Sequence, residues 1–94
     1  MADLAKIFKA LSDPTRLAIF ELVRDCKAGG CTEEEAADSL SKIAGRFNLS
    51  LSTVSHHVKE LRSAGVIHCE KRGKTLVCWP DPDVLKEVDV FLRG

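Results

Sequence analysis

The stretch of sequence that decides the fold is LSLSTVSHHVKELRSAGVI, residues 49–67. Val54, Val58 and Leu61 stand at positions i, i+4 and i+7, a spacing that places apolar side chains on one face of a helix. Gly65 follows, and glycine after the last helical turn is a common stop. The stretch therefore predicts a helix that ends just before this glycine, with one buried stripe and a polar outer face.

A second helical pattern precedes this helix. Apolar side chains recur at helical spacing from Leu40 to about Arg46, and Asn48-Leu49-Ser50 has the composition of a short turn. Two helices joined by such a turn, with a polar outer face on the second, are typical of a helix-turn-helix. We expect this motif over residues 40–64.

The N-terminal half predicts further helices. Residues 2–11 carry one apolar stripe at helical spacing. Asp13-Pro14 combines a good N-cap with a proline at the first helical position, which predicts a helix over residues 14–25. A T-x-x-E capping box at residues 32–35 begins the next helix.

After Gly65 the pattern changes from helix to strand. Residues 66–71 and 75–79 flank Arg72-Gly73-Lys74, which has the composition of a hairpin turn. Asp81-Pro82 repeats the cap-plus-proline signal and begins a last helix over residues 83–93. The expected fold class is mainly α (α+β), a single winged helix-turn-helix domain over residues 1–94 whose wing is the hairpin at 66–79.

The charge of the chain is zero in sum but unevenly placed. Fourteen basic and fourteen acidic side chains balance over the 94 residues. Residues 1–49 carry seven bases and eight acids, residues 50–79 five bases and two acids, and residues 80–94 two bases and four acids. The positive excess coincides with the second helix of the motif and the wing, where contacts to the phosphates of double-stranded DNA would require it.

The outer face of that second helix suits DNA. A helix that enters a major groove about 12 Å wide needs short or base-reading side chains at its N-terminal end and cations at its flanks. The predicted DNA contacts are Ser50, Ser52, Thr53, Ser55, His56, Lys59, Arg62, Lys71, Arg72 and Lys74. The alternative is a winged helix that binds a protein, which an exposed apolar patch on the same helix would favour.

Several classes of protein are disfavoured. No apolar run approaches the ~18–20 residues that span a bilayer, and the N-terminus lacks the apolar region of a signal peptide, so we expect a cytoplasmic protein. There is no nucleophile elbow, phosphate loop or H-E-x-x-H spacing, so we do not expect an enzyme.

Two strings of residues resemble the ArsR-type (ArsR/SmtB) winged-helix transcription regulators. These are FKALSDPTRLAI at residues 8–19 and the stretch at 49–67. With the turn at residues 71–74, the resemblance covers nearly the whole chain. It implies a homodimeric repressor that binds a two-fold-symmetric DNA operator and leaves it when an effector binds.

The resemblance also implies which surfaces form the dimer. In that family the first and last helices make the interface, here residues 1–12 and 83–93. A lone domain of this size has limited capacity to bury all of its apolar stripes, which points the same way. The predicted interface residues are Leu4, Ile7, Phe8, Val84, Val88, Phe91 and Leu92.

The sensor is where the chain departs from the family pattern. Metal-sensing members carry a C-x-C box before the recognition helix, whereas residues 36–44 contain neither cysteine nor histidine. The last helix has acids but lacks the histidine of the family's zinc-type site. The candidate metal or redox residues are instead Cys26, Cys31, Cys69 and Cys78.

Three roles remain open for these cysteines. Cys26 and Cys31 could supply two thiolates to a thiophilic metal or metalloid such as arsenite, with a third thiolate from elsewhere. A two-residue turn at Gly73-Lys74 would instead place Cys69 opposite Cys78 in a non-hydrogen-bonded pair. Their Cα atoms would then lie ~4.5 Å apart, within disulfide range, and oxidation would stiffen the wing. The third role is plain packing, and no cofactor is required for the fold.

Overall fold

The computed structural model describes residues 3–26 and 29–94. The first predicted helix and the first predicted dimerisation segment both extend to residues outside this part. The helices are α1 Leu4–Ala10, α2 Pro14–Asp25, α3 Glu33–Phe47, α4 Leu51–Ser63 and α5 Pro82–Arg93. The strands are β1 Cys31–Thr32, β2 Ile67–Arg72 and β3 Thr75–Pro80. None of the helices in the described part is long and apolar enough to cross a membrane.

The ends of the helices follow from their capping residues. The Asp13 carboxylate accepts hydrogen bonds from the backbone N–H groups of Thr15 and Arg16 at 2.8 and 3.1 Å, and so begins α2. Thr32 and Glu35 form the predicted capping box at the start of α3. These contacts satisfy N–H groups that have no partner inside the helix.

The sheet is antiparallel with strand order β1-β3-β2. Arg72 pairs with Thr75 and Cys69 with Cys78, which confirms the register expected from a two-residue turn. The short strand β1 was not expected from the sequence. It adds Cys31 to the sheet opposite Leu76.

The helix expected after the capping box is continuous: α3 runs unbroken from Glu33 to Phe47, so its first turns precede the stretch from residue 40 in which the helix-turn-helix was expected. Asn48 then adopts the left-handed conformation, with φ 54°, and Ser50 caps α4. The remaining predicted elements, and with them the winged helix-turn-helix fold, are confirmed.

The core lies where the five helices and the base of the hairpin meet. Its largest fully buried side chains are Ile7, Ile19, Val54, Leu61, Val66 and Ile67. Two of the predicted dimer residues belong to this core, since Ile7 is 1% and Val84 5% exposed within the single chain. They stabilise the fold of the monomer and offer no open surface to a partner.

Candidate nucleic-acid interface and thiol cluster

The N-terminal end of α4 presents a group of small hydroxyl side chains. Ser50 Oγ lies 3.0 Å from Ser52 Oγ and 2.9 Å from Thr53 Oγ1, and it accepts the backbone N–H of Thr53 at 3.2 Å. Ser52, Ser55 and His56 are exposed, whereas Thr53 is half-buried. The end of the helix is therefore narrow, polar and rich in donors and acceptors, as a helix that reads base edges requires.

The cations beside this surface fall into two groups. Lys71 Nζ lies 3.2 Å from a carboxylate oxygen of Glu33, and an Arg72 guanidinium nitrogen lies 2.8 Å from Glu70. The side chains of Lys59, Arg62 and Lys74 are exposed and have no acidic partner within 4 Å in the described ranges. These three cations are the ones free to bind phosphate without first breaking an ion pair.

An open groove of about 670 Å³ separates α4 from the wing. Lys59 and Arg62 line one wall, while Cys69 and Trp79 belong to the opposite wall. The groove brings cations of the helix next to the sheet. Sequence spacing does not reveal this proximity, because it depends on how the hairpin folds back.

Arg16 anchors α4 through contacts that no local sequence pattern indicates. Its Nε donates to the Ala10 carbonyl at the end of α1, and its NH1 group lies 3.1 Å from His57 Nδ1 on α4. A guanidinium has only donors, so Nδ1 of His57 must be the acceptor. Arg16 thereby fixes the position of the helix that carries the predicted DNA contacts.

A second long-range contact holds the wing to α5. His68 Nε2 lies 2.7 Å from an Asp81 carboxylate oxygen, and the His68 ring packs on Trp79 with 5.8 Å between ring centroids. The hydrogen bond from His68, together with those from the backbone N–H groups of Val84 and Asp83, lowers the pKa of Asp81. This carboxylate caps α5 and ties it to the strand at the same time.

The four cysteines meet around one space. Cys26 Sγ lies 2.9 Å from Cys31 Sγ, and Cys69 faces Cys78 across the two strands of the hairpin. All four line a single apolar cavity of about 60 Å³, whose other walls are aliphatic side chains such as Leu22. In the described part of the chain the thiols make pairs, and no group of three or more metal-ligating side chains is placed to hold an ion.

The thiols differ in acidity. A hydrogen bond from Cys78 and the nearby Arg62 cation lower the pKa of Cys69 to about 7, although burial opposes the shift. Burial and the neighbouring Cys31 raise the pKa of Cys26 to about 12. The pKa of Cys78 is also raised, because its proton is shared with Cys69 and it is partly buried. At neutral pH, Cys69 therefore has more thiolate character than Cys26.

Taken together, the fold and this surface define a winged helix-turn-helix protein. Two helices joined by a tight turn, the second polar on its outer face, stand beside a basic hairpin. Leu51 is the one large apolar side chain of α4 that is exposed in the described structure, so the helix lacks the apolar patch of a protein-binding surface. A family model described as a helix-turn-helix domain matches residues 11–70.

Known relatives narrow the class to a family. The chain is 37% identical over 81 residues to the transcriptional repressor SdpR of Bacillus subtilis, covering 86% of this chain and 79% of that protein. It is 37% identical over 71 residues to an arsenical resistance operon repressor of Staphylococcus xylosus, covering 76% and 59%. The crystal structure of an ArsR family transcriptional regulator matches with a TM-score of 0.65 and 28% identity, covering 96% and 88%. The chain belongs to the ArsR-type family of helix-turn-helix transcriptional regulators, which are DNA-binding proteins and not enzymes.

Proposed function

We propose that the protein is a homodimeric repressor that binds a two-fold-symmetric DNA operator through α4 and the wing. The observation that carries this proposal is the polar end of α4 flanked by Lys59, Arg62 and Lys74, which have no acidic partners in the described structure. In this arrangement α4 lies in the major groove and the wing follows the adjacent backbone. Repression is supported by the relatives, two of which are named as repressors.

The dimer is supported by an apolar surface on α1 and α5. Phe8 and Phe91 pack together with 5.6 Å between ring centroids, and both rings remain partly exposed. Leu85, Val90 and Leu92 on α5 are exposed as well. Large apolar side chains that are exposed in this number on one helix are a common sign of an interface. A two-fold dimer through α1 and α5 would present two copies of α4 to two half-sites.

The effector is proposed to act on the cysteines. A thiophilic ion such as arsenite is favoured by the arsenical repressor among the relatives and by the close pair Cys26 and Cys31. Oxidation is favoured by the arrangement of the four thiols as two pairs, since a disulfide needs two sulfur atoms and the described side chains provide no third ligand. Both are reactions of soft sulfur, so one titration tests them side by side.

DNA binding is tested by selecting duplexes from a random pool with the reduced protein and measuring affinity by fluorescence anisotropy. We expect a sequence with two-fold symmetry and an affinity that falls steeply with salt, because each phosphate contact releases counterions. An affinity that stayed constant from low to high salt, or a selected sequence without symmetry, would contradict the proposal.

The effector is tested by release of the selected duplex in the presence of arsenite, antimonite, zinc, cadmium or hydrogen peroxide. The measurement is repeated with Cys26→Ser and Cys31→Ser, and then with Cys69→Ser and Cys78→Ser. Loss of arsenite release in the first pair of variants would support ion binding at the α2–β1 junction. Loss of peroxide release in the second pair would support oxidation at the wing. If none of the reagents releases DNA, regulation through the cysteines is excluded.

A further inference from the structure

Cys69 stands in the wall between two separate spaces. Its side chain lines the apolar cavity shared by the four cysteines and also the open groove between α4 and the wing. Cys26, Cys31 and Cys78 line the cavity but are not among the residues that line this groove. Cys69 is thus the cysteine that a small polar reagent reaches from the face predicted to bind DNA.

We propose that Cys69 is an oxidation site for hydroperoxides, that Cys78 resolves it to a disulfide, and that bound DNA shields it. The shielding rests on the proposed function, whereas the oxidation site itself is a property of the free protein. Three placements carry the proposal: access through the groove, Cys78 directly opposite across the hairpin, and two cations of α4 in the same groove.

The oxidation proceeds in two steps. The Cys69 thiolate attacks the terminal oxygen of a hydroperoxide ROOH, the O–O bond breaks, and the leaving alkoxide takes a proton to become ROH. Cys69 is then a sulfenic acid. The Cys78 sulfur attacks the Cys69 sulfur, the S–S bond forms, and hydroxide leaves as water with the Cys78 proton. Two thiols have lost two electrons and two protons, and the hydroperoxide is the oxidant.

The geometry of the hairpin favours closure of this disulfide. Residues 69 and 78 are opposite each other in an antiparallel pair. Arg72 and Thr75 close the two-residue turn as a hydrogen-bonded pair, so three positions further along the pair is non-hydrogen-bonded and brings Cα atoms to within ~4.5 Å. That separation lies within the range that disulfides span, so the bond can form between these two positions while the strands stay paired.

The Cys69 thiol is more acidic than that of Cys26, which belongs to the closer pair of cysteines at the α2–β1 junction. Cys26 and Cys31 are 2.9 Å apart, so proximity alone would favour a disulfide there. Yet the pKa of Cys26 is raised to about 12 while that of Cys69 is lowered to about 7. Thiolates, and not thiols, attack peroxides. Access through the groove and this difference in acidity together favour reaction at Cys69 over Cys26.

Bound DNA would compete for the groups that make Cys69 reactive. Arg62 stabilises the Cys69 thiolate through its charge and shares the groove with Lys59. A DNA phosphate that pairs with Arg62 withdraws this stabilisation and also closes the groove to reagents. By linkage, a phosphate that pairs with Arg62 and disfavours the Cys69 thiolate must itself bind more weakly when Cys69 is ionised.

The first test measures alkylation of each cysteine in the free, reduced protein. Iodoacetamide at pH 7 is quenched at intervals, and peptide mass spectrometry gives the rate at each cysteine. We expect Cys69 to react at least about tenfold faster than Cys26, since its larger thiolate fraction outweighs its lower intrinsic nucleophilicity. Arg62→Gln should slow Cys69 and leave Cys26 unchanged. Equal rates, or a faster Cys26, would overturn the assignment of Cys69.

The second test identifies the disulfide. With one equivalent of tert-butyl hydroperoxide, the protein should lose the mass of two hydrogens and yield a Cys69–Cys78 cross-linked peptide. Cys78→Ser should stop at a sulfenic acid that dimedone traps at Cys69, while Cys26→Ser, the matched control, should still form the disulfide. A Cys26–Cys31 disulfide in the wild type under these conditions would overturn the proposal. Circular dichroism of each reduced variant verifies that it is folded.

The third test adds the duplex selected by the reduced protein. Saturating duplex should slow alkylation of Cys69 at least about fivefold and leave Cys26 unchanged. Unchanged Cys69 labelling with bound duplex would overturn the shielding. A protein that binds no duplex at all would overturn both the shielding and the proposed function, while the first two tests still decide the oxidation site.

Discussion

Arg16 joins three parts of the chain through one planar guanidinium. It donates to the Ala10 carbonyl on α1 and to His57 on α4, while it belongs to α2 itself. Replacing Arg16 by Ala leaves the carbonyl of the buried residue Ala10 and the Nδ1 atom of His57 without their donor. We therefore expect Arg16→Ala to lower the free energy of unfolding by about 1–3 kcal/mol.

The matched control at this position is Arg16→Lys, which keeps the charge but loses the fork that reaches two acceptors at once. Urea unfolding followed by circular dichroism measures both variants. Lysine should recover only part of the stability. Full recovery by lysine would show that charge alone, and not the two-directional hydrogen bonding, accounts for the effect.

The lowered pKa of Asp81 predicts that the stability of the folded protein depends on pH. Its pKa is lowered by the hydrogen bond from His68 and by backbone N–H groups at the start of α5. A carboxylate whose pKa is lower in the folded state stabilises the protein above its unfolded pKa, and this stabilisation is lost as pH falls through the folded pKa. Asp81→Asn keeps a good cap but not the charge. The stability difference between wild type and Asp81→Asn should therefore be present at pH 5–7 and shrink below about pH 4.

Thermal unfolding across this pH range, with Asp81→Ala as the second variant, measures the effect. Alanine also removes the cap and should cost about 1 kcal/mol relative to asparagine at every pH. A wild-type advantage that persisted unchanged to pH 2 would contradict the role given to the charge of Asp81.

The contacts of a residue could be predicted from the sequence where the partner is close in sequence or where the length of a turn determines the pairing. The caps at Asp13, Thr32 and Asp81 are short-range patterns, and the pairing of Cys69 with Cys78 follows from the length of one turn. The bond from Arg16 to His57 spans 41 positions of sequence. No periodicity encodes such a contact, because it exists only once α2 and α4 pack together.

At the scale of elements, β1 depends on a glycine. Gly30 has φ +77°, and a Cβ built there would lie 2.8 Å from the Val77 Cα and 2.9 Å from the Leu76 carbonyl oxygen. Both atoms are backbone of β3 and cannot move aside cheaply. Gly30→Ala should therefore destabilise the protein by about 1–3 kcal/mol and separate β1 from β3.

Gly29→Ala is the matched control, since a Cβ there meets nothing within 4 Å. Urea unfolding and amide hydrogen exchange of the residue 31–32 strand measure the two variants. We expect loss of exchange protection at β1 with Gly30→Ala only. Equal stability of the two variants would show that β1 is not held by this close approach.

The same strand shows why some elements escape prediction. The hairpin and five helices carry period-two or helical patterns over many residues, so they were expected. β1 has two residues, too few for any period, and it forms because β3 offers a free edge more than forty residues later. Likewise the first half of α3 is polar, and the apolar pattern that located the helix-turn-helix begins only at Leu40.

Across the whole molecule, the exposed cations are expected to determine how tightly DNA binds, and the hydroxyl side chains of α4 which sequence is preferred. Arg62→Ala and Lys74→Ala should each weaken binding across DNA sequences and reduce the salt slope by about one, because each removes a phosphate contact. Ser52→Ala should instead change which bases are preferred. Lys86→Ala, on α5, is the control with no expected effect. Anisotropy titrations at several salt concentrations, with the selected and a scrambled duplex, distinguish these outcomes. A change in sequence preference caused by Lys74→Ala would contradict the assignment of this lysine to a phosphate contact.

The exposed apolar side chains of α1 and α5 predict that two copies of the chain assemble into a dimer. Phe91 is 58% and Leu92 72% exposed on α5, next to Phe8 of α1. Phe91→Glu places a charge in the middle of this surface, where burial in a dimer would cost several kcal/mol. We expect sedimentation equilibrium to give a dimer for the wild type and a monomer for Phe91→Glu. Leu51→Glu removes a leucine of similar exposure, 57%, from α4 and should remain dimeric. One α4 reads one half-site, so the monomeric Phe91→Glu variant should bind a full operator no more tightly than a half-site. The wild-type dimer should bind the full operator more tightly than the half-site. A monomeric wild type with the same preference for the full operator would show that the two copies meet only on DNA.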